Sequence, residues 1–237
     1  MWKAFTALFA INAAVGLVNR TSLQGDLGQS QIGMTLLVKD GDTTVRGHYF
    51  YAKYLKDIPL TGTIQASDLT LYAEGGTFKL HFVGNGSHAN QPLNFQNSVG
   101  LAGEWSNGGR PLFVKLQITN VVQTSEDARW YEQVTAESDA AFEARVQDFK
   151  RAVLAGERVQ AARFIGFPLR VNQAGKSRMV RSGQELSKLW EQIFTPAYLA
   201  QLKAAAPHDL FVRNGQAMLG DGIAWFGAKG AQTVNVP

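Results

Sequence analysis

Apolar residues alternate with polar or small ones along most of the chain between residues 31 and 119. This period of two is typical of β-strands that bury one face. Asp40-Gly41-Asp42 and Asn107-Gly108-Gly109 are typical hairpin connections, because glycine and asparagine accept a positive φ. The alternating runs recur about every ten residues, which indicates an antiparallel meander, a sandwich or a small barrel. We therefore predict an antiparallel β domain over residues 19–124.

One strand of this domain follows the first hairpin turn and places Val45 and Tyr49 on one face, with His48 and Phe50 on the other. Because both sets contain large apolar side chains, we expect both faces of this strand to be partly covered.

The pattern changes after Ser125 to a mixture of helices and strands. Ser138 is a candidate N-cap, and Phe142, Val146, Phe149 and Val153 follow it with helical spacing. Two shorter helices and several alternating runs complete the chain, with a possible strand also at residues 130–134. We therefore predict an α+β domain over residues 125–237 and an α+β class for the chain, with the helix packed across a curved sheet.

Three segments within residues 156–227 carry a family resemblance: Phe167-Pro168-Leu169-Arg170, Ile193-Phe194-Thr195-Pro196 and Gly222-Ile223-Ala224-Trp225-Phe226. In these segments the chain resembles the C-terminal part of poorly characterised secreted bacterial proteins with a cystatin-like or NTF2-like domain. The resemblance covers less than half of the chain and brings no catalytic signature. It implies a cone-shaped sheet wrapped on a helix, a scaffold that serves enzymes and binding proteins alike.

The first residues have the layout of a secretory signal peptide, which we assign to residues 1–18. Lys3 precedes an apolar stretch over residues 4–18, and Ala14 and Gly16 are small residues that suit cleavage after Gly16. The stretch is shorter than the about 20 residues that span a bilayer, so we expect no stable membrane span. The pattern predicts a periplasmic or secreted protein of a bacterial envelope. The alternative is a cytoplasmic protein that keeps the segment as a short helix.

The composition excludes several classes of protein. Charged residues make up 18% of the chain, against about 25% in an average protein, and the 23 Lys and Arg exceed the 19 Asp and Glu by only four. A nucleic-acid binder needs a stronger basic face, so we expect no nucleic-acid partner. The chain contains no cysteine, which excludes disulfides, zinc–thiolate sites and thiol nucleophiles.

Local catalytic motifs are absent from the sequence. It contains no Gly-x-Ser-x-Gly, no Ser-x-x-Lys and no His-Glu-x-x-His, the signatures of common hydrolases and zinc proteases. Gly175-Lys176-Ser177 resembles the end of a phosphate-binding loop, but Arg170 occupies the position of the required first glycine. We therefore predict no catalytic residues and no cofactor.

The four histidines, at positions 48, 81, 88 and 208, lack the i, i+2 or i, i+4 spacing of a local metal site. We interpret them as solvated or locally hydrogen-bonded side chains and predict no metal site. Asp209 and Asp221 invite the idea of paired catalytic carboxylates. We interpret Asp209 as a strand-entry cap and Asp221 as part of a tight turn, because spacing alone does not provide the geometry of acid–base catalysis.

Two groups of residues are candidates for binding. The first is a concentration of positive charge around the predicted hairpin near residue 175, where Arg170 and Arg178 are expected to face the same side and to meet an acidic protein, an anionic glycan or a lipid headgroup. The second is an aromatic and basic group suited to stacking on a sugar or to a protein interface. The alternatives are a solvated hairpin and ordinary strand packing. The two groups comprise Arg163, Arg170, Lys176, Arg178 and Arg181, and Tyr49, Tyr51 and Tyr54 with Lys53 and Lys56.

These observations predict an exported, non-enzymatic binding protein of the inhibitor, immunity or accessory type. Its partner is expected to be another envelope protein or a glycan, and the sequence leaves the oligomeric state open. A second hypothesis is a small-ligand carrier or an enzyme that uses the concave sheet of the C-terminal domain, with Phe167, Leu169 and Trp225 lining the pocket. A third is a hydrolase whose histidine, aspartate and serine meet only in space.

Overall fold

The computed structural model of the protein describes residues 16–87 and 91–237. Most of the predicted signal segment, residues 1–15, lies outside the described residues, and so does His88. The first strand begins at Leu17, so cleavage after Gly16 would leave it whole.

Eight antiparallel strands form a closed barrel in chain order. The last strand pairs back with the first, from Leu17 opposite Ser125 to Leu27 opposite Val114, and this ladder closes the barrel. The strands are β1 (Leu17–Leu27), β2 (Ser30–Lys39), β3 (Thr44–Tyr51), β4 (Ile58–Gln65), β5 (Asp68–Ala73), β6 (Gly76–Val83), β7 (Gly100–Ser106) and β8 (Leu112–Ser125).

The interior of the barrel is filled by its own side chains. Leu36, Val45, Leu71, Phe78 and Leu101 are fully buried there, and they belong to one continuous apolar cluster. An eight-stranded barrel is just wide enough for such side chains to fill it. The barrel is therefore a packed core.

The second domain contains four helices and a six-stranded sheet. The strand order is β10-β9-β14-β13-β12-β11, in which β14 pairs with β9 in parallel and the remaining pairs are antiparallel. The elements are α1 (Asp139–Leu154), α2 (Arg158–Arg163), β9 (Ile165–Gln173), β10 (Lys176–Val180), α3 (Gly183–Ile193), α4 (Pro196–Ala204), β11 (Phe211–Arg213), β12 (Gln216–Leu219), β13 (Ala224–Gly227) and β14 (Gly230–Val236).

The helices cover one face of the sheet. The predicted N-cap Ser138 is confirmed, since its side chain accepts a hydrogen bond from the backbone amide of Ala141. Ser182 and Thr195 cap α3 and α4 in the same way. The apolar stripe of α1 is buried as predicted, and its Phe149 ring packs edge-on against Phe226 of β13 with centroids 5.2 Å apart. The second core therefore lies between the helices and this face of the sheet.

The predicted α+β class is wrong, because the protein is mostly β, with 47% strand and 19% helix. Two elements differ from those expected, and only the first of them adds strand content. Residues 17–27 form β1, which we did not predict and which closes the barrel. The second domain adds six strands, some as short as β11, while its helices remain few. The possible strand at residues 130–134 is instead a series of turns.

No helix among the described residues is long and apolar enough to cross a membrane.

Candidate functional site

The predicted basic residues do not form one patch. Cross-strand pairing places Arg170 opposite Met179 and Arg178 opposite Val171. Because successive residues of a strand point to opposite faces, Arg170 and Arg178 lie on opposite sides of the sheet, and the expectation that they share a side is wrong. Arg178 turns toward α3, with Nη1 3.2 Å from Oε1 of Gln192. The other three residues lie at the end of α2, at the start of β10 and just beyond β10: Arg163, Lys176 and Arg181.

The predicted tyrosine group is divided between the barrel core and the surface. Tyr49 is 2% exposed and packs edge-on against Phe78, with ring centroids 5.1 Å apart. Burial raises the pKa of Tyr49 to about 12. Tyr51 is half-buried beside Tyr49, whereas Tyr54 is 68% exposed with the Lys53 ammonium over its ring. Only Tyr54 of the three therefore presents its ring to a partner.

The face of the six-stranded sheet opposite the helices carries a continuous row of side chains, one from each strand. Each residue of the row lies directly opposite the next in the strand register. None of the six is fully buried, whereas their neighbours along the strands, such as Ala217, Phe226 and Val234, are buried against the helices. We call this row the open face; it consists of Phe211, Met218, Trp225, Thr233, Arg170 and Met179.

The open face is apolar at its centre and basic in its surroundings. Phe211, Met218 and Trp225 are consecutive across β11, β12 and β13. Arg213, two residues beyond Phe211 on the same side of β11, and Arg170 are both exposed. The six strands of the sheet contain no aspartate or glutamate. The strands of the sheet therefore place two exposed arginines, and no carboxylate, beside an apolar strip.

The pocket predicted from Phe167, Leu169 and Trp225 is not formed by these residues. Leu169 is fully buried on the helix side, while Trp225 lies on the open face. Phe167 packs against the same core as Leu169. Because Leu169 and Trp225 point to opposite faces of one sheet, they do not line a common cavity.

A second candidate site lies where the barrel meets the second domain. On the barrel side, Thr35 of β2 and His48 of β3 are directly opposite each other on the outer surface. Their neighbour Phe50 is 2% exposed, so the prediction that both faces of this strand are covered is confirmed. Asp57 immediately precedes β4. These residues present a hydroxyl, an imidazole and a carboxylate toward the second domain.

The second domain contributes three side chains from two elements. Glu143 lies in the second turn of α1, and His208 and Asp209 lie between α4 and β11. Tyr131 donates its hydroxyl proton to Oε1 of Glu143 at 2.7 Å, and the backbone amide of Asp209 donates to the same oxygen at 3.0 Å. These bonds fix Glu143 against the loop that carries the histidine.

The side chains from the two domains meet within hydrogen-bonding distance. His48 Nε2 lies 2.6 Å from Asp209 Oδ2, to which the Thr35 hydroxyl also donates at 2.8 Å. His208 bridges two carboxylates, with Nε2 2.9 Å from Asp57 Oδ1 and Nδ1 2.5 Å from Glu143 Oε2. We call His48, Asp57, Glu143, His208 and Asp209 the histidine cluster.

The cluster perturbs the protonation of its members. Burial lowers the pKa of His208, but the hydrogen bonds that its ring donates to Asp57 and Glu143, together with the charge of Asp209, outweigh burial and raise the pKa to about 10. For His48, burial likewise opposes the Asp209 hydrogen bond and charge, which prevail and raise the pKa. For Asp57, burial opposes the two histidines, which lower its pKa. The cluster therefore favours charged imidazoles and charged carboxylates over their neutral forms.

This arrangement is not that of a nucleophilic triad. A hydroxyl nucleophile is activated when it donates its proton to the imidazole that acts as base. Here the Thr35 hydroxyl donates to Asp209, and Thr35 is itself 2% exposed. The hydroxyl is therefore a support for the carboxylate and lacks access to a substrate.

A small cleft of about 80 Å³ opens beside the cluster, between β1, β8 and the segment before α1. Arg20 of β1 lies over the Trp130 ring, with the guanidinium carbon 4.1 Å from the centroid. The indole Nε1 donates to the carbonyl oxygen of Leu210 at 2.8 Å. The space is enough for a few water molecules, at about 30 Å³ each, and too small for an organic substrate.

Sequence reasoning missed the histidine cluster because its members are far apart in the chain. His48 and Asp209 are separated by 161 residues, and His208 and Asp57 by 151. The two signals available were the adjacent pair His208-Asp209 and the position of His48 on the outer, partly covered face of its strand. Glu143 gave no signal, since an acidic residue near a helix N-terminus is ordinary.

No family model, no curated protein and no solved structure matches the chain. The candidate sites therefore rest on their own geometry.

Proposed function

We propose that the protein is a non-enzymatic binding protein that docks an acidic partner protein on the open face. The observation that carries this proposal is the unbroken row of partly exposed side chains across all six strands of the second sheet. A contiguous apolar patch on the surface of a soluble protein commonly marks the binding site of another molecule. The open face runs across the strands, so its six side chains form one contiguous surface.

The residue types of the open face suit a protein interface. Tryptophan, phenylalanine, methionine and arginine are enriched at the centres of protein–protein interfaces, and tryptophan and arginine are frequent hot spots. Trp225 lies in the middle of the row, between Met218 and Thr233, with Arg170 next along it. We infer that Trp225 is the central anchor of the interface.

The charge of the sheet indicates the kind of partner. Arg170 and Arg213 flank the apolar strip, and the strands of the sheet supply no carboxylate to neutralise them. A partner surface with acidic residues around an apolar centre would match both features. An acidic protein fits better than a glycan, because the strip offers three adjacent apolar side chains.

The two apolar cores favour surface binding over ligand transport. The barrel is packed with its own side chains, and the helix-covered face of the second sheet is buried under α1, α3 and α4. The cleft beside Trp130 is far smaller than the about 300–1,000 Å³ that drug-sized ligands occupy. A larger hollow of about 570 Å³ lies beside α2 and α3, but it is open to solvent and lies outside both cores. These observations support the binding protein over the small-ligand carrier.

We further propose that the protein acts in a bacterial envelope. This proposal rests on the sequence of residues 1–18, with its leading charge, apolar stretch and small residues before Gly16. The absence of cysteine is compatible with an oxidising compartment, since no thiol needs protection there. N-terminal sequencing of the protein recovered from a periplasmic fraction tests it: a mature chain beginning at or near Leu17 is expected, and an intact Met1 would contradict it.

The docking proposal is tested by capture from envelope extracts with matched variants. Trp225→Glu places a charge at the centre of the open face, and Met179→Glu does so at its more exposed edge. Tyr72→Glu is the control, because it adds the same charge at a 56% exposed aromatic residue of the barrel. We expect the parent protein and Tyr72→Glu to retain the same acidic protein, and both open-face variants to weaken its binding by about tenfold or more.

Two measurements complete this test. Binding of the retained protein should weaken with added salt and with Arg170→Glu, because the contact depends on opposite charges. Circular dichroism and thermal unfolding establish that each variant is folded. Equal retention by the parent protein and by the folded variants Trp225→Glu and Met179→Glu would disprove the proposal.

A further inference from the structure

The histidine cluster brings together side chains that are the usual ligands of transition metals. His48, Asp57 and His208 each offer one ligand atom, and these atoms lie within 4.8 Å of one another. His48 Nε2 is 3.4 Å from Asp57 Oδ1, and His208 Nε2 is 2.9 Å from the same oxygen. Ligands bonded to one tetrahedral Zn²⁺ at about 2.0–2.2 Å are separated from each other by roughly 3.4 Å. The distance between His48 and Asp57 matches this value, whereas the hydrogen bond between His208 and Asp57 would have to lengthen when the ion binds.

The three ligand atoms come from both domains. His48 and Asp57 belong to the barrel, and His208 belongs to the loop between α4 and β11. Asp209 Oδ2 lies 2.6 Å from His48 Nε2 but is not within the same distance of all three atoms, so it is not part of the set. A tetrahedral ion held by three protein ligands takes water in its fourth position.

The surrounding bonds resemble those that orient metal ligands. A histidine that binds a metal through one ring nitrogen commonly donates the other N–H to a carboxylate. His208 has this arrangement, since its Nδ1 lies 2.5 Å from Glu143 Oε2 while Nε2 faces the ligand set. Glu143 is held by Tyr131, and Asp209 by the Thr35 hydroxyl. An ordinary surface ion pair needs no such second layer of support.

The charge balance of the cluster also favours a cation. Asp57, Glu143 and Asp209 bring three carboxylates to two histidines. A divalent ion would displace the protons of the two imidazoles and supply the positive charge beside the carboxylates in their place.

We propose that His48, Asp57 and His208, with water in the fourth position, bind a divalent transition metal ion of the zinc type, which joins the barrel to the second domain. Mixed imidazole and carboxylate ligands suit Zn²⁺ and its neighbours better than Ca²⁺ or Mg²⁺, which prefer oxygen ligands alone. Glu143 orients His208 from the second layer. The site is independent of the open face, so either proposal can fail without the other.

Metal binding to the full chain tests the site directly. The protein is stripped with a chelator, dialysed and titrated with Zn²⁺ by calorimetry, with bound metal measured by elemental analysis. We expect about one Zn²⁺ per chain, a higher thermal unfolding temperature that a chelator reverses, and no comparable binding of Mg²⁺. Co²⁺ in the same site should give the strong visible absorption of a four-coordinate ion.

Variants decide whether the bound ion occupies this site. Asp57→Asn is the first choice, because the side chain is 49% exposed and we expect its replacement to disturb the fold least. We expect Asp57→Asn, His48→Gln and Glu143→Gln each to weaken Zn²⁺ binding by about tenfold or more. His81→Gln is the matched control, since it removes an exposed histidine of β6 on the outside of the barrel. It should bind Zn²⁺ as the parent protein does.

Two results would overturn the site. One is a stripped parent protein that binds no Zn²⁺ and keeps its unfolding temperature when Zn²⁺ is added, in which case the cluster is an ion-pair network only. The other is unchanged Zn²⁺ affinity in the folded Asp57→Asn variant. Trp225→Glu should bind Zn²⁺ normally, which separates this outcome from a failure of the docking proposal.

Discussion

His48 of the barrel and Asp209 of the second domain form a direct contact across the domain boundary, with Nε2 2.6 Å from Oδ2. The Thr35 hydroxyl donates to the same oxygen from the neighbouring strand. Both side chains of the pair are mostly shielded, with exposures of 22% and 12%. A charge-assisted hydrogen bond at such a place contributes more than one in open solvent. The pair is thus a principal polar contact between the two domains.

We predict that His48 and Asp209 are energetically coupled. His48→Gln and Asp209→Asn should each lower the free energy of unfolding, because each leaves a shielded polar partner unsatisfied. The double variant should lose less than the sum, with a coupling of about 1–3 kcal/mol. Urea unfolding of the four proteins, with a chelator present throughout, measures this coupling. Strictly additive losses would show that the contact is not formed in solution.

A second prediction concerns the packing of Gly33 and Phe50, which face each other across β2 and β3. A methyl group on Gly33 would overlap the Phe50 ring, which is held edge-on against His208 with centroids 4.5 Å apart. We expect Gly33→Ala to lower the free energy of unfolding by about 1–3 kcal/mol through overpacking. Phe50→Leu should relieve part of this loss when the two substitutions are combined. Thermal and urea unfolding give the values, and an unaltered stability of Gly33→Ala would contradict the packing described.

A third prediction concerns Arg20, whose guanidinium lies over the Trp130 ring. Desolvation lowers the pKa of Arg20, while nearby Asp209 opposes this effect. Arg20→Ala should cost about 1–2 kcal/mol of unfolding free energy, because the partly desolvated cation–π contact is lost. Arg110→Ala, at an exposed arginine after β7, is the control and should cost little. If both variants lose a similar amount of unfolding free energy, the contact between Arg20 and Trp130 does not stabilise the fold.

The barrel could be anticipated from the sequence, but its closure could not. The alternation of β2 to β8 is regular because their inner positions are apolar, as at Leu36 and Val45. In β1 the pattern is broken by Thr21 and Gly25, which pair opposite Leu36 and Ile32. The strand is specified by long-range pairing with β8, and local periodicity carries no information about that pairing.

The candidate sites show the same limit. The position of His48 on the outer face of its strand could be predicted from the sequence, because successive side chains of a strand point to opposite faces. The contact between His48 and the His208 side of the cluster could not be predicted, because it depends on how the two domains pack together. A short, regular spacing of histidines indicates only those metal sites that are built within one element. The open face could not be predicted for a related reason. Apolar residues occur on both faces of the strand that contains Trp225, and only the strand order of the sheet shows which face the helices cover.

The last prediction uses Tyr49, whose ring is buried in the barrel and whose pKa is raised by burial to about 12. In the unfolded chain a tyrosine titrates near pH 10, so the folded state holds the proton more tightly. The resulting stabilisation is fully present below about pH 10 and is lost as the pH rises toward about 12. The unfolding free energy of the parent protein should therefore fall relative to that of Tyr49→Phe, by at most about 1.4 kcal/mol per pH unit.

Urea unfolding of the parent protein and Tyr49→Phe between about pH 8 and pH 12 measures this difference. Using the difference cancels the titration of the other tyrosines, lysines and arginines, which the two proteins share. Tyr54→Phe is the matched control, since it removes the same hydroxyl from a ring that is 68% exposed. Its pH dependence should follow that of the parent protein. If Tyr49→Phe and Tyr54→Phe behave alike, the Tyr49 hydroxyl is in contact with solvent and the barrel interior is more open than its packing implies.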